Sequence, residues 1–305
     1  MARHLVSLAD WEPQEIRDSL NLASNLKEQA TDGTREAVLQ NCTLALLFEK
    51  SSMRTRVSFE VAMNQLGGSS VYLSKDDVNL GAREPIKDGS RVLSRYVDVV
   101  AARTRSHKSV VELARWSSIP VINALSDRFH PCQALGDMLT IREEFGDLDG
   151  LKISYVGDCN NVARSLVLAC AMLGVDISVG CPPDYQFDAE FRRQAEVLVQ
   201  DGESSFEVMD SAESAVRGAD VVYTDTWISM GQEDESETRK KAFRSYRVDE
   251  KLLSGAAPEA VVMHCLPAYR GQEITDEVIE GDSSVVFDQA ENRLHAERAL
   301  LHQLV

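Results

Sequence analysis

The chain has 305 residues, 44% of them hydrophobic, and is long enough for two globular domains. No apolar run approaches 18 residues and the first residues do not read as a signal peptide, so a membrane span and a secretory leader are not expected. The net charge of −17 makes nucleic acids and anionic membranes poor partners.

Strands and helices alternate through the first half of the chain. The predicted elements are helix 13–29, strand 43–49, helix 54–66, strand 70–74, helix 86–95, strand 97–103, helix 107–116, strand 120–123 and helix 131–145. The last helix begins at Pro131, a residue favoured in the first turn. A turn-rich segment at 146–150 follows, and we place the domain boundary there.

The second half repeats the alternation. Its predicted elements are strand 151–157, helix 162–173, strand 175–180, helix 188–200, strand 205–209, helix 211–217, strand 220–224, helix 248–253, strand 260–264, strand 284–287 and helix 290–303. A long acidic loop at 232–241 is expected to be mobile. The pattern predicts an α/β protein with two doubly wound domains, each around a central parallel sheet, joined by bridging helices. We expect domains at 1–146, with helix 290–305 packing back on the first, and at 147–289.

Residues 50–57 combine two serines, unpaired backbone N–H groups and two arginines between a strand and a helix. The N-terminus of a helix carries partial positive charge, and arginine offers paired donors to phosphate oxygens. The segment therefore predicts an anion site. The alternative is an ordinary serine cap with solvated arginines.

Polar residues also follow several strands, where ligands bind in open parallel sheets. The four segments concerned are 103–107, 130–133, 225–231 and 264–267. Taken alone, His130 could be a capping residue, Asp225 a turn residue and Cys265 a core thiol. Their recurrence at strand ends favours a binding site.

The loop at 156–162 lies where a dinucleotide-binding loop would lie. It lacks the G-x-G-x-x-G pattern, because positions 159 and 162 are Cys and Val. A nicotinamide dehydrogenase is therefore disfavoured.

The six cysteines are scattered without a C-x-x-C pair, which indicates reduced thiols in a cytoplasm and argues against zinc. Lysine is scarce while Asp and Glu are abundant. This balance fits a halophilic protein that stays soluble in concentrated salt, and it equally fits a moderately acidic protein of ordinary cells.

These motifs resemble those of the aspartate/ornithine carbamoyltransferase superfamily, and the resemblance extends over essentially the whole chain. Residues 52–56 and 130–133 resemble the shared carbamoyl phosphate motifs, whereas 225–231 and 264–268 resemble the motifs of the ornithine branch. The resemblance implies transfer of a carbamoyl group from carbamoyl phosphate to the δ-amine of L-ornithine, giving L-citrulline and phosphate. It also implies a homotrimer or a multiple of trimers, with no cofactor and no metal.

The resemblance also implies roles for individual residues. For carbamoyl phosphate, the implied binding residues are Ser52, Met53, Arg54, Thr55, Asn79, Arg103, His130, Gln133, Cys265, Leu266 and Arg293. For ornithine, they are Asn161, Asp225, Ser229 and Met230. The catalytic residues among them would be Arg54, Thr55, Arg103, His130 and Cys265.

Four positions depart from the family pattern. Met53 stands where a hydroxyl is usual, and a backbone contact would tolerate it. Asn79 replaces a Gln, and residues 82–83 read Ala-Arg rather than Arg-Gly. The loop around Asn79 would reach a neighbouring subunit, and its shorter amide could reach phosphate through water.

Two other functions remain open at this point. A sister transferase would use another amine, such as putrescine, although putrescine has no α-carboxylate for the 229–231 segment to bind. A non-catalytic paralogue would bind without turnover, although the intact set of polar residues argues against it.

Overall fold

The computed structural model describes residues 2–78, 81, 83–202, 204–229 and 232–305. Two compact units divide the chain: Met1–Leu139 with Asn292–Val305, and Thr140–Glu291. None of the helices in the described residues combines the length and apolar character that a membrane span requires.

The first unit is built around four strands. Its elements are α1 (Pro13–Asp32), β1 (Thr43–Phe48), α2 (Met53–Gln65), β2 (Ser69–Ser74), α3 (Lys75–Val78), α4 (Ile86–Leu93), β3 (Val99–Arg103), α5 (His107–Trp116), β4 (Val121–Leu125) and the first part of α6 (Pro131–Phe145). Buried Ala, Leu and Val side chains of β1, β3, β4 and α5 form one apolar cluster against this sheet.

The strands of this unit are all parallel, in the order β2-β1-β3-β4. The chain moves from β1 to β2 on one side and then to β3 on the other, so the order reverses between β1 and β3. Ligands bind at such a reversal, beyond the carboxyl ends of the strands. Phe48, which ends β1, pairs with Arg103, which ends β3.

The second unit is built around five strands. Its elements are β5 (Lys152–Val156), α7 (Asn161–Leu173), β6 (Asp176–Gly180), α8 (Ala189–Gly202), β7 (Phe206–Met209), α9 (Ala212–Val216), β8 (Val221–Thr224), α10 (Ser236–Phe243), α11 (Glu250–Leu253), β9 (Val261–His264) and α12 (Asp276–Ile279). The last helix, α13 (Val286–Leu304), begins in this unit and ends in the first.

These strands are also parallel, in the order β7-β6-β5-β8-β9. The order reverses between β5 and β8, where Val156 pairs with Thr224. Thr224 pairs on its other side with His264 of β9. The residues that follow these three strand ends therefore lie side by side.

Two sequence predictions need correction. No strand forms at 284–287: Ser284 makes only an isolated bridge to Val262, and α13 begins at Val286. β-branched and aromatic residues favoured a strand there, but Val286 is buried as part of the helix. The supposed loop at 232–241 contains most of α10, because Arg239 and Phe243, one turn apart, are both buried.

Candidate active site

Thr55 is the meeting point of the polar residues in the first unit. Its backbone N–H donates to the Ser52 hydroxyl (3.3 Å), which caps α2. Three groups then donate to its Oγ1: Ser52 Oγ (3.0 Å), Arg103 Nη1 (3.3 Å) and Arg293 Nη2 (2.6 Å). Thr55, Arg103 and Arg293 are all buried.

A hydroxyl oxygen has only two lone pairs, so three donors exceed what Thr55 can satisfy. The two guanidinium groups also bring two buried positive charges to the start of a helix, where the dipole adds to them. An anion with several oxygens would accept these donors better than one hydroxyl does. The arrangement is therefore suited to phosphate. Arg54 is half-buried at the same helix start, and the side chain of Met53 is 73% exposed.

His130 and Gln133 extend the same cluster at the beginning of α6. Gln133 Oε1 faces Arg293 Nη1 (3.4 Å), and its amide donates to Asp137 (2.8 Å). Burial, and then the positive charges of Arg293 and Arg103, hold the pKa of His130 well below its ordinary value. His130 is therefore neutral near pH 7 and can donate one hydrogen bond to a carbonyl oxygen.

Glu297 lies one helical turn beyond Arg293 and was not predicted as a site residue. Its Oε1 accepts from Arg293 Nε at 3.0 Å, which leaves both Nη groups to face Thr55 and Gln133. Glu297 is fully buried. Burial raises the pKa of Glu297 to about 7, although Arg293 and Ser58 oppose the shift.

This raised pKa predicts a pH-dependent stability. An unfolded Glu has a pKa near 4.3, so the folded protein holds more protons between about pH 4.5 and 7. Stability from this group is therefore lost as pH rises through that range, by up to a few kcal/mol. Glutamine imitates the protonated form of Glu297. We therefore expect the Tm of Glu297→Gln minus the Tm of the wild type to increase by several °C from pH 5.5 to pH 8.5.

The matched control is Glu36→Gln, because Glu36 is exposed in the same unit. Thermal melts of the three proteins at both pH values check the prediction. An equal difference between Glu297→Gln and wild type at the two pH values would contradict it.

In the second unit, Asp225 lies directly after β8 and is held by both carboxylate oxygens. Asn160 Nδ2 donates to Oδ2 (2.8 Å), and the Cys265 thiol donates to Oδ1 (3.1 Å). Asn160 is itself fixed, because its Oδ1 accepts from the N–H groups of Val162 and Ala163 at the start of α7. Each Asp225 oxygen keeps an acceptor position, so the carboxylate can also bind an ammonium group.

The other residues predicted for ornithine lie on the same two loops. Asn161 begins α7, immediately after Asn160. The backbone N–H of Ser229 donates to Gln232 Oε1 (3.0 Å), and the serine is half-buried. Two predicted site residues, Met230 and Asn79, lie outside the described residues.

The segment after β9 forms a tight turn around His264. Its Nδ1 accepts from the Leu266 N–H (2.9 Å), and its Nε2 lies 3.2 Å from Glu273 Oε1. A backbone N–H can only donate, so Nδ1 is the acceptor and Nε2 carries the hydrogen. This support holds Leu266 at φ 55°, a left-handed conformation that costs a non-glycine residue roughly 1–3 kcal/mol. Cys265 and Leu266, predicted for carbamoyl phosphate, thus belong to the second unit.

Asp225, His264 and Cys265 bring three possible metal-ligand atoms within 4.8 Å of one another. Both ring nitrogens of His264 are occupied, however, by the Leu266 N–H and by Glu273. The imidazole has no lone pair left for a metal in this state. Within the cluster, the Cys265 thiol donates to Asp225, and His264 is held by residues outside it.

Comparison with known proteins gives matches over both units. Residues 3–143 match the family model described as aspartate/ornithine carbamoyltransferase, carbamoyl-P binding domain. Residues 149–304 match the model of the Asp/Orn binding domain of the same family.

Individual relatives are similar over their full length. The ornithine carbamoyltransferase of Methanothermobacter thermautotrophicus is 53% identical over 303 residues, 99% of each chain. The ornithine carbamoyltransferase of Archaeoglobus fulgidus is 50% identical over 303 residues, covering 99% of this chain and 97% of its own. The solved structure of ornithine carbamoyltransferase from Pyrococcus furiosus has a TM-score of 0.97 and 49% identity, covering 100% of this chain and 97% of its own.

Proposed function

The chain belongs to the aspartate/ornithine carbamoyltransferase family, and we propose that it transfers the carbamoyl group of carbamoyl phosphate to the δ-amine of L-ornithine. The products are L-citrulline and phosphate, an exchange that serves arginine metabolism. The observation that carries the proposal is the convergence of Ser52, Arg103 and Arg293 on one hydroxyl of Thr55.

We propose that the first unit binds carbamoyl phosphate. The phosphate oxygens of carbamoyl phosphate accept hydrogen bonds from the three groups that donate to Thr55 in this structure. They also accept from Arg54 and from the N–H groups at the start of α2. His130, neutral and buried, donates to the carbamoyl oxygen. Gln133 lies beside Arg293 and binds the same group.

The δ-amine of ornithine attacks the carbamoyl carbon in its neutral form, so the rate rises with pH until the amine is deprotonated. The new C–N bond forms and negative charge develops on the carbamoyl oxygen. The C–O bond to phosphate then breaks, and the attacking nitrogen gives up one proton, which leaves with the phosphate. Thr55, Arg103 and His130 stabilise that charge, and they are already fixed before the substrate binds. Holding both substrates together supplies a further part of the rate.

We propose that the second unit binds ornithine. Asp225 pairs with the α-ammonium through the acceptor positions that Asn160 and Cys265 leave open. Asn161 and Ser229 bind the α-carboxylate. The backbone of Cys265 and Leu266 accepts from the carbamoyl amine, and Met230 and Asn79 keep the roles that the family pattern assigns to them.

A homotrimer is the assembly that we propose. The outer face of α2 exposes Met53 (73%), Val57 (51%) and Val61 (36%), each one turn after the last. The neighbouring β2 is one of the two edge strands of its sheet and exposes Val71 (47%). Apolar side chains adjoining an open strand edge are typical of a subunit interface.

A charge at the centre of this face should prevent assembly. We expect the wild type to have about three times the 33.8 kDa mass of one chain, and Val57→Glu to have the mass of one chain. The control is Val197→Glu, since Val197 is exposed to a similar extent (59%) on α8 of the other unit. Light scattering after size exclusion gives the masses, and a trimeric Val57→Glu would place the interface elsewhere.

The proposed reaction is tested by citrulline formation from carbamoyl phosphate. Ornithine, putrescine, N-acetylornithine and aspartate are supplied in parallel, each at low and high potassium chloride. We expect turnover with ornithine, increasing in concentrated salt if the charge of −17 is an adaptation to it. Turnover with putrescine alone would identify a sister transferase, and no turnover with any amine would indicate a binding paralogue.

The reaction is proposed to take place in the cytoplasm.

A further inference from the structure

Arg239 on α10 is a buried arginine to which the proposed reaction assigns no role. Only 3% of its surface is exposed. Its Nε donates to the backbone oxygen of Trp227 (2.7 Å), and its Nη2 donates to the carboxylate of Asp158. Its Nη1 lies 3.5 Å from Glu235, which is largely exposed. One guanidinium group therefore connects two separate loops.

Both of those loops carry residues proposed to bind ornithine. Trp227 lies between Asp225 and Ser229, on the loop after β8. Asp158 lies between β5 and Asn161. The two loops come from strands that pair with each other, so the sheet fixes where they start. Beyond the strand ends, the Arg239 contacts and the Asn160–Asp225 hydrogen bond connect them.

The guanidinium group is itself held rigidly. Its central carbon, Cζ, lies 4.7 Å from the ring centre of Tyr185 and 5.5 Å from that of Phe243. Asp158 is nearly as buried, and burial raises the pKa of its carboxyl to about 6 against the opposing charge of Arg239. Removing a buried charge pair from water is costly. Packing alone would not require a buried ion pair. Holding two loops at a fixed distance requires a side chain with several N–H donors, as a guanidinium group has.

We propose that Arg239 is a positioning residue that sets the spacing between the Asp158–Asn161 loop and the Asp225–Ser229 loop and thereby determines the affinity for the amino-acid substrate. This inference rests on the proposed function, because it names ornithine as the ligand of those loops. Arg239 acts through the loops and need not touch ornithine.

The test is Arg239→Lys in the full-length protein. Lysine keeps the positive charge beside Asp158, but a single ammonium cannot reproduce the planar fork that also reaches Trp227. A misplacement of reacting groups by about 1 Å can lower the reaction rate about 10²-fold. We expect the KM for ornithine to rise between about 10- and 100-fold, while the KM for carbamoyl phosphate changes less than threefold. The matched control is Arg244→Lys, the same exchange at an exposed position beside α10.

Two results would overturn the inference. One is a folded Arg239→Lys protein with the wild-type KM for ornithine, and the other is an equal rise in both KM values, as general destabilisation would give. If Arg239→Lys does not fold, Asp158→Asn replaces it, since that variant keeps the shape and leaves Arg239 in place. A folded Asp158→Asn protein with unchanged ornithine KM would likewise overturn the inference. Lack of ornithine turnover in the wild type would instead refute the proposed function.

Discussion

Replacing Arg103 with glutamine is expected to lower kcat/KM for carbamoyl phosphate by about 10²–10³-fold. Arg103 is buried at the end of β3, and its Nη1 already points to the hydroxyl of Thr55. Its position is fixed by the pairing of β3 with β1, so the donor does not have to be reorganised during the reaction. Glutamine keeps one donor but loses the charge and the second arm.

The matched control is Arg105→Gln. Arg105 lies two residues later, is exposed, and uses its backbone N–H rather than its side chain to contact Glu49 (2.7 Å). Steady-state rates at saturating ornithine, with circular dichroism to check the fold, separate the two positions. If a folded Arg103→Gln protein works within threefold of the wild type, Arg103 does not contact the reacting group.

Much of this half of the site could be predicted from sequence, because its signals are local. The helix predicted at 54–66 is observed at Met53–Gln65, and Ser52, considered as an ordinary helix cap in the alternative interpretation, does cap it. Pro131 predicts the first turn of α6, and α6 runs over Pro131–Phe145 as expected. Arg103 follows a buried apolar run, which predicts the end of a strand. Each inference depends on a few neighbouring residues.

Contacts between distant residues could not be predicted in the same way. Asn160 looks like a simple helix cap, yet it also holds Asp225, 65 residues further along the chain. Arg239 lies in a polar, strongly charged stretch whose pattern gives no sign of burial. The sequence only weakly indicates a role for Glu297. It follows Arg293 by four residues in the same helix, and the residues next to it in that helix are buried. The roles of Asn160 and Arg239 depend on the pairing of β5 with β8, whereas the role of Glu297 depends on the burial of its helix.

The incorrect prediction of a strand at 284–287 also arises from tertiary contacts that the local sequence does not show. Residues 284–287 include Val285, Val286 and Phe287, which favour extended structure when they are considered alone. In the fold, Val285 donates to the oxygen of Val262 and the helix begins with the next residue. Local preference was overridden by tertiary packing that buries Val286 and leaves Phe287 62% exposed.

Replacing Asp225 with asparagine is expected to raise the KM for ornithine roughly 100-fold, because it removes one partner of a desolvated charge pair. The amide keeps the size of the carboxylate and one oxygen acceptor. It cannot accept from Asn160 and Cys265 with both atoms, as Asp225 does. The matched control is Asp184→Asn, an exposed position in the same unit.

A substrate comparison makes this expectation specific for the α-ammonium. 5-Aminovalerate has the attacking amine and the carboxylate of ornithine but no α-ammonium, so wild-type protein should strongly prefer ornithine. In Asp225→Asn, that preference should fall by a factor similar to the rise in KM, since the lost pair serves only ornithine. A preference that survives the substitution would mean that another group recognises the ammonium. The role of Asp225 would then be to position Asn160 and Cys265, and a different residue of the second unit would select the amine.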